Sequence, residues 1–244
     1  MTLEISEHLP LYAHVEQVIA ARIADGSLPP GTRLPSEDDL VDEYAVSRTT
    51  VRTAIQSLVQ RGLVEIQRGK GTFVTRPKIT QELTQLTGFV EDMQALGRHA
   101  TAKVLDQRIV AADQTVARQL ALPRGSAVVR IQRVRLADGM ALSFDETYLP
   151  KDLGERVMAD NLETEPIFSL LERKYRTPLV EAEYRLEAIA ADATAATALG
   201  MDVGSPIFLI ERTSYSDGHR PVDYERLHYR GDQMRFVTRL TRRA

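Results

Sequence analysis

Arg48 and Arg52 stand four residues apart in SRTTVRTAIQSLVQ. On a helix that spacing sets two guanidinium groups on one face, one turn apart. Two such forks can meet guanine O6 and N7 in a major groove, each good bidentate pair discriminating by about 1 to 3 kcal/mol. Some sixteen residues on, Arg68-Gly69-Lys70-Gly71 sets two cations among two glycines, where the backbone can approach a duplex and Lys70 can reach phosphate or the minor groove. A different pair, Arg133 and Arg135, lies two residues apart in VVRIQRVRL, on one face of an alternating strand, where two forks can converge on one anion. Other chemistries are excluded. With no cysteine there is no disulfide framework, thiolate metal site, iron–sulfur cluster or cysteine nucleophile. No Gly-x-Ser-x-Gly elbow, Walker loop or His-Glu-x-x-His occurs, and His8, His14, His99, His219 and His228 are scattered, so neither a metal nor a cofactor is expected.

The 244 residues suffice for one large domain or two small ones, and the net charge of -3 with 27% charged residues is that of an ordinary folded chain. The balance hides an asymmetry. Residues 1 to 43 carry two bases against nine acids, and residues 44 to 78 carry seven bases against the single acid Glu65. Basic charge gathered in so short a stretch is an electrostatic footprint for a polyanion. The first residues, MTLEISEHLP, are polar and acidic, and no apolar run reaches membrane-spanning length, so a cytoplasmic protein with no membrane partner is expected.

These cations need elements to hold them. Leu11, Val15, Val18, Ile19 and Ile23 recur at helical spacing and stop at Gly26 and Pro29-Pro30-Gly31. Ser36 can cap a short helix with an acidic first turn and an apolar face of Leu40, Val41 and Tyr44. After Ala45-Val46, Ser47 can cap a third helix that buries Val51, Ile55, Leu58 and Val59, ends at Gly62, and turns Arg48, Thr49 and Arg52 outward. The caps at Ser36 and Ser47 also present free N–H groups to phosphates. Residues 63 to 66 and 72 to 74 read as strands of a hairpin tipped by Arg68 to Gly71.

Residues 77 to 81 read as a linker, and an amphipathic helix is expected over 82 to 96, stopped by Gly97. Beyond it the chain repeats at an offset of 79: Ala111, Asp113, Thr115, Leu120, Gly125, Ser126, Ile131, Arg133, Asp138 and Gly139 recur at Ala190, Asp192, Thr194, Leu199, Gly204, Ser205, Ile210, Arg212, Asp217 and Gly218. Each copy predicts an Asp-capped helix, a Gly-Ser turn, a strand, an Asp-Gly turn and a return strand. The fold class expected is α+β, with an antiparallel sheet carrying helices on one face. Arg133 has the repeat partner Arg212, so a structural ion pair common to both halves is as good a reading as a ligand contact; Arg135 aligns with Ser214, and a charge present in one copy alone favours a ligand.

The string LPSEDDLVDEYAVSRTTVRTAIQSLVQRGLVEIQRGKGTFV resembles the winged helix-turn-helix of GntR-type bacterial transcription regulators. LTGFVEDMQALG, RVRLADG, DETYLP and YRGDQMRF resemble the UTRA effector-binding domain of the HutC branch, whose fold is similar to chorismate lyase. The resemblance implies a winged helix over 1–76 and an effector-binding and dimerisation domain over 82–244. It implies a homodimeric, ligand-responsive regulator, most often a repressor, on a pseudo-palindromic double-stranded DNA operator. Fusion to a DNA-binding module makes this the better reading than an enzyme of the lyase type. The DNA-binding set implied is Ser36, Ser47, Arg48, Thr49, Thr50, Arg52, Arg68, Gly69, Lys70 and Gly71, with Asp38 standing where many relatives carry a DNA-contacting Arg. For the effector, Arg133 and Arg135 would take an anionic group, Asp145, Asp223 and Tyr229 would bond hydroxyls or amines, and a helix N-terminus near Thr84 or Thr87 would close over the anion. The expected effector is a small anion, phosphosugar or carboxylate; Gly88 and Pro166 stand where phosphosugar-binding relatives tend to have Ser, and the loss of those hydroxyl donors points to a carboxylate or to a ligand without phosphate.

Overall fold

The computed structural model describes residues 10–75 and 78–242, and the chain divides into two compact units, 1–77 and 78–244. In the first, α1 (Leu11–Ala24), α2 (Glu37–Tyr44) and α3 (Arg48–Gln60) precede a hairpin of β1 (Val64–Gln67) and β2 (Gly71–Val74). Ser36 accepts from the Asp39 N–H while Asp39 accepts from the Ser36 N–H, a reciprocal cap that starts α2, and Ser47 accepts from the Thr50 N–H to start α3. Between them Ala45 takes a left-handed conformation at φ 52°, so the chain reverses within two residues. Val15, Ile19, Leu40, Val51, Ala54, Ile55 and Leu58 are buried together and fix the three helices. Val59, expected inside, is 36% exposed, because Ala54 completes the inward stripe and Val59 falls at its edge.

The second unit comprises β3 (Ile79–Glu82), α4 (Phe89–Ala95), β4 (Ala100–Ala111), α5 (Gln114–Gln119), β5 (Ala127–Ala137), β6 (Met140–Pro150), α6 (Lys151–Met158), a helical turn α7 (Ile167–Ser169), β7 (Glu181–Ala190), α8 (Ala193–Leu199), β8 (Pro206–Ser216), β9 (Arg220–Arg230) and β10 (Met234–Val237). Six strands make one antiparallel sheet in the order β4-β5-β6-β9-β8-β7, so the two halves of the repeat meet at the β6–β9 seam. Asp113 and Asp192 cap α5 and α8 through the N–H groups of Val116 and Ala195. The first turn is the pair Asp138-Gly139, but the second takes in His219 as well, at φ 56°. Arg133 pairs with Asp145 and Arg212 with Glu225, so the return strands correspond at an offset of 80 instead of 79.

Three expectations about this unit need correction. Helices cover both faces of the sheet. α5 and α8 pack on the face of Val128, Phe144, Tyr148 and Tyr224, while α6 and the segment from Ile167 to Leu171 pack on the face of Val129, Ile131 and Leu149. The helix over 82–96 is also shorter than expected. Residues 79–82 form β3, parallel to β10, so Ile79 to Gln81 are strand and not linker; Arg76, the last residue of the expected winged helix, and Pro77 of the expected linker lie outside the described residues. The helix starts only at Phe89, where the Glu91 carboxylate accepts the Gly88 N–H at 3.1 Å. Leu83, Leu86, Phe89, Val90 and Met93 carry a helical spacing, but the partner of β3 lies about 155 residues away and no local pattern reveals it.

Candidate nucleic-acid interface and effector pocket

In the first unit Arg48 and Arg52 are exposed on one face of α3, one turn apart, as the spacing predicts. Neither is solitary. Arg48 pairs with Asp38 and Arg52 Nε donates to Glu37 Oε2 at 2.9 Å, both acids coming from the first turn of α2. Thr49 is exposed and Thr50 partly so, its hydroxyl 2.8 Å from that of Ser47. The hairpin turns through Arg68, Gly69 and Lys70, all exposed, with Gly69 at φ 75°. Gly71 sits at φ 122°, and a Cβ there would lie 2.7 Å from Arg33 Nε. Arg33, which bridges to Phe73, therefore adds a further guanidinium beside the wing. The sequence reading missed it because it stands alone in an acidic stretch.

In the second unit the sheet face opposite α5 and α8 carries a buried charged cluster. Arg133 is fully buried; its Nη1 reaches the Leu162 carbonyl at 3.4 Å, and its Nε and Nη2 make no hydrogen bond among the described residues. Burial and then the neighbouring Arg135 depress its pKa to about 9, with Asp145 and Glu225 opposing. Arg135 Nε donates to Asp145 Oδ2 at 2.9 Å, and Ser143 Oγ also donates to Asp145. Arg212 pairs with Glu225, which accepts from Thr147 Oγ1 at 2.8 Å. Burial opposes the charge on both members of that pair, but the pair outweighs it, raising Arg212 and lowering Glu225. Asp223 accepts the Ser214 N–H at 3.3 Å; burial and then Glu225 push it up to about 7. Three arginines and three carboxylates thus share this face, and Asp223 is the carboxylate whose charge burial disfavours most strongly.

A pocket of about 20 Å³ opens onto this cluster, lined by Arg135, Asp145, Arg212, Glu225, Tyr229 and Phe168 together with Gly88 and Pro166. That is room for about one water molecule. Arg135 and Pro166 are also in the wall of a 230 Å³ cleft lined by Gln94, Arg98, His99 and Glu163. Of the residues expected at an effector, Arg135, Asp145 and Tyr229 line the pocket; Tyr229 is held neutral chiefly by burial and then by Asp145. Arg133 and Asp223 lie in the same buried cluster without lining it. Thr87 donates instead to Asp92 at 2.6 Å, and Asp92 also accepts from Gln81 Nε2 of β3 at 2.5 Å. Glu225 and Phe168 were not among the residues expected at the effector; Arg212, the repeat partner of Arg133, stacks over Phe168 at 4.3 Å. The repeat itself was the available signal for Glu225, as the partner of Asp145 once His219 is counted.

Comparison with known proteins agrees with this division. Residues 11–74 match the family described as bacterial regulatory proteins, gntR family, and residues 95–235 match the UTRA domain. The chain is 31% identical to the HTH-type transcriptional repressor NagR of Bacillus subtilis (strain 168), over 97% of each chain. It is 30% identical to the histidine utilization repressor of Pseudomonas putida, over 96% of this chain and 93% of that one. Among solved structures, PhnF from Mycobacterium smegmatis superposes with a TM-score of 0.66 at 28% identity, over 94% of this chain and all of the other. These relatives are regulators and not enzymes. Among the described residues no helix is long and apolar enough to cross a membrane.

Proposed function

Because the chain belongs to the GntR family of bacterial regulators, in its HutC branch with a UTRA domain, we propose that it is a homodimeric cytoplasmic repressor. It holds a pseudo-palindromic operator through α3 and the wing, and releases it when a small anionic metabolite, phosphosugar or carboxylate, enters the second unit. The observation that carries this reading is Arg133, a fully buried guanidinium with two nitrogens unbonded, beside an arginine in a pocket wall. A buried cation without an acid on it is a large standing penalty that an anion would relieve. Arg48, Arg52, Thr49, Thr50, the N-termini at Ser36 and Ser47, and the wing from Arg68 to Gly71 provide the DNA face.

The pocket is too small for a metabolite as it stands, so binding opens it, and the elements around it set what moves. Gly88 and Phe89 line the pocket at the head of α4, and Asp92 in the same turn bonds Thr87 and Gln81. Displacing α4 therefore pulls on β3, the first strand after the linker. An effector shifts the equilibrium only by its differential affinity for the two arrangements, and a coupling of about 1 to 3 kcal/mol changes operator affinity 5- to 150-fold. Since a single winged helix meets one half-site, a dimer supplies palindromic readout, with the second unit as its interface.

Calorimetry with a panel of phosphosugars and small carboxylates, followed by operator release, tests the reading on wild type and Arg135→Ala. Binding by wild type that Arg135→Ala loses, while the variant keeps its fold and its operator, is the expected result. An Arg135→Ala protein with unchanged effector affinity and release sinks the anionic-pocket assignment. Sedimentation of the full chain as a monomer at working concentration sinks the dimer.

A further inference from the structure

The acids that open α2 divide their work. Asp39 closes the cap with Ser36, which leaves Glu37 and Asp38 to reach across to α3. Glu37 meets Arg52 and Asp38 meets Arg48. The two carboxylates differ in setting: the Glu37 side chain is 38% exposed, the Asp38 side chain 70%. Asp38 thus places an open negative charge on the surface that carries the arginines of the recognition helix.

A largely exposed pair of this kind contributes little to folding, and a carboxylate on a face that approaches phosphates weakens attraction to any duplex. The geometry gives it a different use. A guanidinium offers five donors in a planar fork, so a carboxylate bonded to one edge fixes the plane and leaves the other edge for a base. When the matching base is present, Arg48 keeps Asp38 on one side and the base on the other, and both charges are satisfied. When it is absent, Arg48 gains only by swinging to phosphate, and Asp38 is left unpaired beside the backbone. Such an arrangement discriminates by repelling the wrong partner as well as by attracting the right one.

We propose that Asp38 is a specificity-determining positioning residue, acting through Arg48: it aims the guanidinium at one base edge and penalises duplexes that lack that base. This rests on the reading of α3 as the base-reading helix.

The test uses the full chain. Selection from randomised duplexes defines a preferred sequence for wild type, and titrations at fixed salt then compare the selected duplex with a scrambled one for wild type, Asp38→Asn, Asp38→Glu, Arg48→Ala and Asp38→Asn/Arg48→Ala. Asp38→Asn is expected to bind scrambled DNA about 5- to 20-fold tighter, with the selected duplex changed less than about 1.5-fold and base preference flattened at one position per half-site. Asp38→Glu should keep most of the wild-type ratio, and Asp38→Asn should alter the ratio less than about twofold when Arg48 is already Ala. A selected-to-scrambled ratio held within about twofold by Asp38→Asn overturns the proposal, as does an equal effect with and without Arg48. If wild type selects no sequence, the base-reading premise fails and the proposal falls with it; if wild type selects one that Asp38→Asn selects identically, the proposal alone falls.

Discussion

Replacing Arg133 by Met should make the protein more stable and, on the reading above, deaf to its effector. Met fills much of the arginine stem without a charge to bury. A guanidinium whose pKa falls from 12.5 to about 9 is disfavoured in its charged form by on the order of 5 kcal/mol, at about 1.4 kcal/mol per tenfold. The sign follows from linkage. The folded pKa lies below the unfolded one, so the unfolded chain binds more protons between them, and stability rises with pH only beyond about 9. At neutral pH the full penalty is present. The two unbonded nitrogens express the same penalty in another form and are not added to it. Relaxation and imperfect filling reduce the gain to about 1 to 4 kcal/mol, the range seen when buried charges give way to apolar groups. For a unit of this size that raises Tm by roughly 2 to 4 °C per kcal/mol. Arg135→Met is the internal control, because it strands a buried Asp145 carboxylate and should destabilise by about 3 to 5 kcal/mol. Denaturant and calorimetric melts at one protein concentration measure both. Two arginines two residues apart are thus expected to shift stability in opposite directions. If Arg133→Met loses stability as Arg135→Met does, the guanidinium of Arg133 is satisfied in the fold and the case for a missing anion collapses.

Gly154 on α6 lies so close to the sheet that a Cβ would stand 2.4 Å from Val129 Cβ; Gly154→Ala should cost about 1 to 3 kcal/mol by overpacking, and an unchanged denaturation midpoint would contradict this packing. Gly71→Ala meets both an unfavourable φ and Arg33, so it should weaken binding to all duplexes alike while the preferred sequence stays the same; binding equal to wild type in an anisotropy titration refutes the role given to the wing. Asp223, raised from 3.8 to about 7, takes up a proton on folding across that interval, so its contribution falls as pH rises from about 4 to 7 and stays unfavourable above. Asp223→Asn should therefore gain on wild type in melts at pH 8 relative to pH 5, and a pH-independent difference between the two proteins would rule out a protonated Asp223.

The parts of the molecule that were legible in the sequence are those fixed by short-range chemistry. Ser36, Ser47, Asp113 and Asp192 announce helix starts because a cap needs only a side chain and an N–H two or three residues on. The duplicated hairpins announce themselves through repeated identities and their Asp-Gly turns. Illegible were features decided by distant partners. β3 exists because residues 234 to 237 lie beside it, and the second layer of helices exists because α6 and α7 fold back over Val129, Ile131 and Leu149. At the site, spacing placed Arg133 and Arg135 on one face and the register sets Asp145 opposite Arg133, but only the side-chain packing shows that Asp145 bonds Arg135 while Arg133 goes without. On α3 the same holds: spacing exposes Arg48 and Arg52, and the turn geometry brings Asp38 and Glu37 onto them.

The helices that cap the duplicated hairpins do not stay at home. α5, from the first half, lies over Tyr148 and reaches Tyr224 of the second, and its Gln119 accepts from the Thr213 hydroxyl at 3.1 Å; α8, from the second half, packs on Phe144 of the first. Each half is therefore roofed by the other's helix. A fragment holding one half alone would leave Phe144 or Tyr224 bare, and two copies of it would satisfy each other best by exchanging helices, as a swapped dimer does. The present chain has that exchange tied into one polypeptide by the segment between Pro150 and Glu181, the same segment that supplies Leu162, Pro166 and Phe168 to the charged cluster and its pocket. The tether that makes two halves into one folding unit is thus also the wall of the proposed effector pocket, so cutting the chain there should dissolve the pocket and the fold's cooperativity together.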